Sequence, residues 1–366
     1  MSFDPIELAA CQRALVIKLR HHGDVLLAAP VFAALKALRP GIEIDALIYK
    51  DSLELLSFNP DIAQIHVIDR ADRRRGLWTR MANAWRLLRD LRRRRFDLVV
   101  HLTEHPRGAL VARVLRPRYA VARRYGGRRG RWWRKSFTHL YDVPARERHT
   151  VETHLDALRR LGLVIPPARP VRLVAGAPAE TAIDSRLAAL GLDGKAFLVA
   201  HPTSRWLFKC WPEAHMARLL DHLARQGHRI VLTAGPAADE RAWMDRLMAK
   251  TTAPLIDLSG RLSLKELAAL IGRARLFIGV DSAPMHMAAA MGTPVVAFFG
   301  PSGDAEWAPW QVPSRVLTAP FSCRPCGLAG CGDGELSECL AAISVERAIA
   351  AVDALLAETA PACASS

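Results

Sequence analysis

Short apolar runs alternate with helix-spaced patterns along nearly all of the 366-residue chain, and this rhythm constrains the fold more than any other feature. ALVIKL (14–19) predicts a strand and VLLAAPVFAALKALRP (25–40) a helix, with further strands at IEIDALIY (42–49) and DLVVHLT (97–103). The rhythm returns with strands at 196–202, 228–235, 254–260, 276–280 and 294–300, and with helices at 212–227, 239–250, 263–274 and 284–292 between them. Strands this uniformly apolar are buried on both faces, the condition of a parallel sheet covered by helices on either side. The prolines of VIPPARPVRLV (164–174) mark a linker. The chain is therefore expected to divide into a first domain at residues 1–170, a second at 171–348 and a C-terminal helix with a flexible tail at 349–366. The fold class is α/β: two Rossmann-like, doubly wound domains facing a central cleft, with ligands at the C-terminal ends of the strands bordering it.

Charge adds a direction. Of the net +15, residues 1–170 hold 33 Lys and Arg against 17 Asp and Glu, whereas the remainder holds 18 against 19. The excess sits entirely in the first half, and a one-sided basic face attracts phosphate, whether of nucleic acid, anionic lipid or a phosphorylated glycan. LWTRMANAWRLLRDLRRRR (77–95) sets Leu77, Met81, Ala84, Trp85, Leu88 and Leu91 at helical spacing with arginines around them, and GGRRGRWWRK (126–135) is a basic loop holding Trp132 and Trp133. A solvated charged surface explains such runs as well as a ligand does. Tryptophan interleaved with arginine favours an amphiphilic phosphorylated partner at a membrane interface. The longest apolar stretches are too short to span a bilayer, and MSFDPIELAACQR is acidic with no apolar signal core, so a cytoplasmic location is expected.

Three motifs carry possible chemistry. In VIKLRHHGDVLLAAP (16–30) a strand empties into Arg20, His21, His22, Gly23 and Asp24. Gly23 suits a sharp turn. Asp24 reads either as a helix N-cap or as a general base facing a ligand. HPTSRWLFKCWPEAH (201–215) puts Thr203, Ser204 and Lys209 after another strand, where hydroxyls and an ammonium suit phosphate oxygens; a surface lysine beside a core Trp211 is the plainer reading. GVDSAPMHMAAAMGTP (279–294) places Asp281 and Ser282 between a strand and a helix opened by Pro284, an anion-binding start with Asp281 suited to sugar hydroxyls. His286 reads more simply as a packed helix residue than as a ligand. No G-x-G-x-x-G follows the first strand, which argues against a dinucleotide dehydrogenase. Cys323, Cys326, Cys331 and Cys339 have the spacing C-x2-C-x4-C-x7-C, compatible with a structural tetrathiolate metal site or with reduced packed thiols; no catalytic metal is expected.

HHGDVLL, HPTSRWLFKCWP, GPAADE, SGRLSLKEL and GVDSAPMHMAAAMGTPVVAFFGPS, in this order, resemble the ADP-heptose:lipopolysaccharide heptosyltransferases of glycosyltransferase family 9, from about residue 13 to 350. IKLRHHGDVLL, HPTSRWLFKCW and CRPCGLAGCGDGELSECL resemble most the branch that adds a side-branch heptose to the second heptose of the inner core. The resemblance implies the GT-B architecture and an inverting, metal-independent transfer without cofactor. It implies catalytic roles for Asp24 and Lys209. Donor contacts fall on Thr203, Ser204, Asp239 or its neighbour Glu240, Leu262 at the adenine, Asp281, and the amides from Ser282, Ala283 and Pro284 to His286. The implied partners are ADP-heptose, the phosphorylated lipopolysaccharide core and the anionic inner face of the inner membrane, bound peripherally by a monomer. Acceptor contacts are expected at Arg20, His22, Arg73, Arg123, Arg128 and Arg131, and Arg20, His21 and His22 are expected to hold Asp24 ionised. A family member using another nucleotide sugar or adding a main-chain heptose is the near alternative. A non-enzymatic nucleic-acid binder is the distant one, which leaves Lys209 and Asp281 at successive strand ends unexplained.

Overall fold

The computed structural model describes residues 4–74, 76–125, 130–143, 148–167, 169–194, 196–332 and 336–360. The chain forms two compact units, Met1–Val174 and Ala175–Ser366.

The first unit holds β1 (Arg13–Lys18), α1 (His22–Leu26), α2 (Ala29–Leu38), β2 (Glu43–Tyr49), α3 (Leu53–Leu56), β3 (Gln64–Ile68), α4 (Leu77–Arg94), β4 (Leu98–His101), α5 (Pro106–Leu115), β5 (Tyr119–Arg123), α6 (Gly130–Arg134), β6 (His139–Tyr141) and α7 (Thr150–Arg160). Its sheet is parallel, in the order β3-β2-β1-β4-β5-β6, with Ile17 paired to Leu47 on one side and His101 on the other. Alternation along β1 divides the two faces. Leu15 and Ile17 join Leu91 of α4, Ala109 and Ala112 of α5 and Trp133 of α6 in one core. Lys18 turns the other way, towards His154 of α7.

The second unit repeats the plan with α8 (Ala177–Ala189), β7 (Phe197–His201), α9 (Glu213–Arg225), β8 (Arg229–Leu232), α10 (Ala238–Met248), β9 (Ile256–Asp257), α11 (Leu264–Arg273), β10 (Leu276–Val280), α12 (Ala283–Ala290), β11 (Val295–Phe298), α13 (Asp304–Trp307), β12 (Ser314–Leu317), α14 (Glu338–Ala341) and α15 (Val345–Glu358). The order β12-β11-β10-β7-β8-β9 is the same winding, all parallel. In each sheet the strand order reverses beside the unit's first strand, between β1 and β4 and between β7 and β10. The doubly wound α/β expectation holds in both units. Trp211 lies fully buried in the second core, stacked on Phe298 at 4.3 Å, with its indole N–H donating to the Ile343 carbonyl.

Several local expectations change. The single helix expected over 25–40 is two, because Pro30 opens α2: it lacks an amide proton, and its ring excludes a continuous helix through Leu26. Gly23 takes helical backbone inside α1, so the turn is made before it, at Arg20 and His21. The apolar face of 77–95 docks only at its C-terminal end, where Leu91 is buried, while Leu77, Met81 and Trp85 are exposed. Trp133 is a core residue packed on His101 and Phe137, with its indole donating to the Arg123 carbonyl; of the pair only Trp132 is exposed. A stacking surface built on both rings, the support for nucleic-acid binding, is therefore lost.

Buried histidines give a pH signature. Burial holds His101 and His154 down at about 3 and His201 at about 4. The unfolded chain protonates these rings near the ordinary value of ~6.5 while the folded chain does not, so folding stability falls as pH drops below ~6.5. Denaturant titrations between about pH 7 and 4.5 are expected to lose on the order of 2 kcal/mol per ring, with His154→Gln flattening the dependence of the first unit.

Candidate active site

β1 runs into a site built around one carboxylate. His21 is the N-cap of α1, and Asp24 occupies the helix's first turn, not the cap itself. The Asp24 side chain is mostly buried, with Oδ1 3.3 Å from Lys18 Nζ and 3.6 Å from Arg20 Nε. Burial alone would push its carboxyl up; the Lys18 ammonium and the Arg20 guanidinium outweigh this and hold it below the ordinary carboxylate value. Lys18 is itself buried, which lowers its own pKa against the pull of Asp24. Its other hydrogens donate to the Leu102 carbonyl (3.2 Å) and His154 Nε2 (2.9 Å). His154 Nδ1 donates to the Leu27 carbonyl at 3.0 Å, which fixes the tautomer and leaves Nε2 as the acceptor. Lys18 thus joins Arg20 in setting the charge of Asp24.

The surrounding loop is stitched to its neighbours. Leu19 N–H donates to Thr103 Oγ1 beyond β4, and Arg70 donates to the Arg20 carbonyl and to Asp51 while lying 4.1 Å over the Tyr49 ring. Arg70 was not anticipated; its value lies in bringing the ends of β1, β2 and β3 together, a property of topology. Of the expected acceptor contacts, Arg20 and His22 flank Asp24 and both are solvent-accessible. Arg123 ends β5 with its guanidinium 5.3 Å over Tyr125, and Arg131 is exposed on α6. Arg128 and Arg75 lie outside the described residues, as does the side chain of Arg73.

The second unit gathers its site from the loops after β7 and β10. Lys209 ends a 3-10 turn, Leu207–Lys209, and its Nζ is 2.6 Å from Asp281 Oδ2 and 5.2 Å from the Trp206 ring. Ser204 Oγ accepts from Trp206 N–H and shapes that loop. Thr203 is fully buried, and its hydroxyl donates to Glu240 Oε2 at 2.7 Å, the oxygen that also accepts from Gly235 N–H at 3.0 Å. Thr203 therefore braces the loop and does not offer its proton to phosphate, a correction to its expected donor contact. The same bonds settle which acid faces which way: Glu240 turns inward and Asp239 is exposed.

At α12, Ser282 is the N-cap but makes no side-chain cap bond, and its buried Oγ has no hydrogen-bond partner among the described residues. Pro284 has no amide proton, and Met285 N–H donates to the Ser282 carbonyl. Of the amides expected to run from Ser282 to His286, Pro284 therefore supplies none and that of Met285 is already engaged. The His286 ring is buried in the fold with Trp307 6.4 Å away. Leu262 is half-buried in the loop before α11. Acid-free first-turn residues, an orphaned hydroxyl and a lysine beside Asp281 make a polar, anion-receptive surface at the switch point of the sheet.

The four clustered cysteines are free thiols on the segment behind this loop, and among the described residues no His, Cys, Asp or Glu group has the arrangement to hold a metal ion. Ser337 Oγ of that segment donates to the Phe208 carbonyl at 2.6 Å, so it supports the turn carrying Lys209.

These two sites, each at the switch point of a doubly wound sheet, suit the handling of a nucleotide-activated group. The chain belongs to glycosyltransferase family 9 (heptosyltransferase), whose family model matches residues 84–335. It is 38% identical over 293 residues to lipopolysaccharide heptosyltransferase 3 of Escherichia coli strain K12, spanning 80% of this chain and 83% of that protein. It is 25% identical over 320 residues to lipopolysaccharide heptosyltransferase 1 of Pseudomonas aeruginosa, spanning 86% of each. The solved family 9 glycosyl transferase from Veillonella parvula matches with TM-score 0.82 at 23% identity over 98% of this chain and 99% of that one. E. coli heptosyltransferase WaaC with ADP matches with TM-score 0.72 at 20% identity over 95% and 100%. At these identities the solved structures show the fold, the GT-B class.

Gly235 offers a direct check on the brace. A Cβ there would sit 2.4 Å from Glu240 Oε1. Gly235→Ala is expected to cost about 1–3 kcal/mol of stability and to weaken ADP-dependent protection against thermal unfolding, measured by melting with and without ADP.

Proposed function

We propose that this glycosyltransferase moves heptose, with inversion, from ADP-L-glycero-D-manno-heptose to the phosphorylated inner core of lipopolysaccharide, forming the side branch on the second core heptose. It does so as a monomer on the cytoplasmic face of the inner membrane. The observation that carries the reading is the Lys209–Asp281 pair beside the open start of α12, in a chain closely related to E. coli lipopolysaccharide heptosyltransferase 3.

The chemistry follows from the groups present. The donor diphosphate rests on the amides of Ser282 and Ala283 and draws Lys209 towards its oxygens. Asp281, released from Lys209, accepts from the heptose hydroxyls. Leu262 lines the adenine, and the exposed Asp239 meets the ribose. Asp24, kept ionised, receives the proton of the acceptor hydroxyl as its oxygen bonds to the anomeric carbon. The bond from that carbon to the diphosphate breaks on the opposite face, and the electron pair leaves with ADP. Lys209 and the helix amides stabilise the charge that builds there. Arg20 and His22 beside Asp24, with Arg73, Arg123, Arg128 and Arg131, supply the cationic surface for the core phosphates.

Asp24→Asn is expected to abolish transfer while ADP still raises the melting temperature; normal turnover by this variant rejects Asp24 as the base. Lys209→Ala is expected to lower kcat by about 10²–10³-fold, the scale of losing one preorganised electrostatic contact to a leaving group. Single-turnover kinetics with ADP-heptose and purified core acceptor measure both, and a panel of ADP-, UDP- and GDP-sugars in the melting assay tests the donor.

A further inference from the structure

The N-terminal half of α4 belongs to neither candidate site and has an unusual surface. Its C-terminal half docks through Leu91, with Leu87 and Leu88 packed against the same core. Towards the N-terminus Leu77, Trp78, Met81 and Trp85 remain 63%, 82%, 54% and 62% exposed. Their spacing of one, four and eight residues from Leu77 puts them on one continuous stripe, which extends the docked face towards the helix N-terminus. This half of the helix is tied to the preceding turn by Asn83, which donates to Asp72. An exposed stripe of two tryptophans, a methionine and a leucine calls for a partner.

The charges beside the stripe identify its chemistry. Arg80, Arg86, Arg92 and Arg93 are exposed, and the Arg89 guanidinium lies 5.1 Å over the Trp85 ring. Asp90 is the single acid in the helix. The pairing recurs on α6, which shares the same core: exposed Trp132 has the Arg113 guanidinium 5.9 Å from its ring. Among the described residues no helix is long and apolar enough to cross a membrane. A tryptophan-bearing apolar stripe bordered by arginines has the composition of a helix that lies along an anionic bilayer. The rings settle at headgroup depth, and the arginine stems reach back to the phosphates. A second copy of the chain is a poor occupant, since self-pairing of this face sets arginine against arginine.

We infer that the exposed face of α4 seats the protein on an anionic lipid surface, with Trp78, Met81 and Trp85 entering the headgroup region and Arg80, Arg86 and Arg93 meeting lipid phosphates. The inference draws its setting from the proposed lipid-borne acceptor, but it is tested without donor or acceptor. The full-length protein is sedimented with vesicles of phosphatidylethanolamine and phosphatidylglycerol, and with phosphatidylcholine alone. It is expected to bind the anionic vesicles, more weakly as salt rises. Trp78→Ser/Trp85→Ser is expected to weaken that binding by about tenfold or more, the scale of withdrawing two large apolar side chains. Arg80→Gln/Arg86→Gln is expected to lose part of the preference for anionic lipid. In wild-type protein, vesicles are expected to slow hydrogen exchange at the amides of residues 78–86, a readout that needs no variant.

Undiminished binding by the tryptophan variant, or vesicle binding with no change at those amides, overturns the assignment. So does a wild-type dimer that the tryptophan variant dissolves in sedimentation velocity. ADP protection against unfolding is read on the same samples. Lost lipid binding with protection intact by wild-type protein rejects this surface alone, and absent protection with lipid binding intact rejects the nucleotide-sugar reading alone.

Discussion

Everything at the first candidate site depends on a buried ammonium. A parallel sheet covered on both faces leaves little room for a solvated side chain along its inner strands, so a charge there must be paired, as Asp45 is with Arg94, or lie where a strand ends. Lys18 is the last residue of β1 and is buried. Its charge is sustained by Asp24 at 3.3 Å, the Leu102 carbonyl at 3.2 Å and His154 at 2.9 Å. Removing any one leaves a desolvated group short of a partner, and the carboxylate benefits in return by staying ionised in a place that would otherwise protonate it. The sign for stability follows: a carboxyl held below its ordinary value stabilises the fold above that value and loses the contribution as pH falls through the lowered one.

The second unit uses the same design for a different end. Its lysine–aspartate pair also sits where the strand order reverses, but Lys209 comes from a loop and Asp281 from the end of β10, so the pair bridges two loops instead of one strand and its following helix. The loop carrying Lys209 is anchored twice from behind, through the Thr203–Glu240–Gly235 contacts and through Ser337 to the Phe208 carbonyl. In the proposed transfer an ammonium close to the start of a helix suits a departing diphosphate.

Much of this was legible in the sequence. The apolar runs identified most of the inner strands, and Asp24, Lys209 and Asp281 stood out as charged residues just past strand ends. Lys18 did not, because a lysine closing an apolar run looks like a strand residue facing solvent, and its partner His154 lies 136 residues away on a helix whose periodicity it simply fits. Asp239 and Glu240 could not be told apart because one residue of rotation around α10 decides which faces inward. Trp132 and Trp133 posed the same problem on α6. On α4 the period of the apolar residues was right, but periodicity assigns a face and not what covers it: the core takes only the last turns.

The most direct test of the central claim is the pH dependence of transfer in wild type and in Lys18→Met, with single-turnover rates measured between about pH 5 and 7.5. Because the Lys18 ammonium outweighs the burial of Asp24, the wild-type acidic limb is expected to lie below this range. In Lys18→Met, burial acts without its strongest opponent, and the limb is expected to move up into the range while ADP protection persists. Acidic limbs that coincide in the two proteins would contradict the account, since Lys18 would then have no part in keeping Asp24 ready to accept a proton.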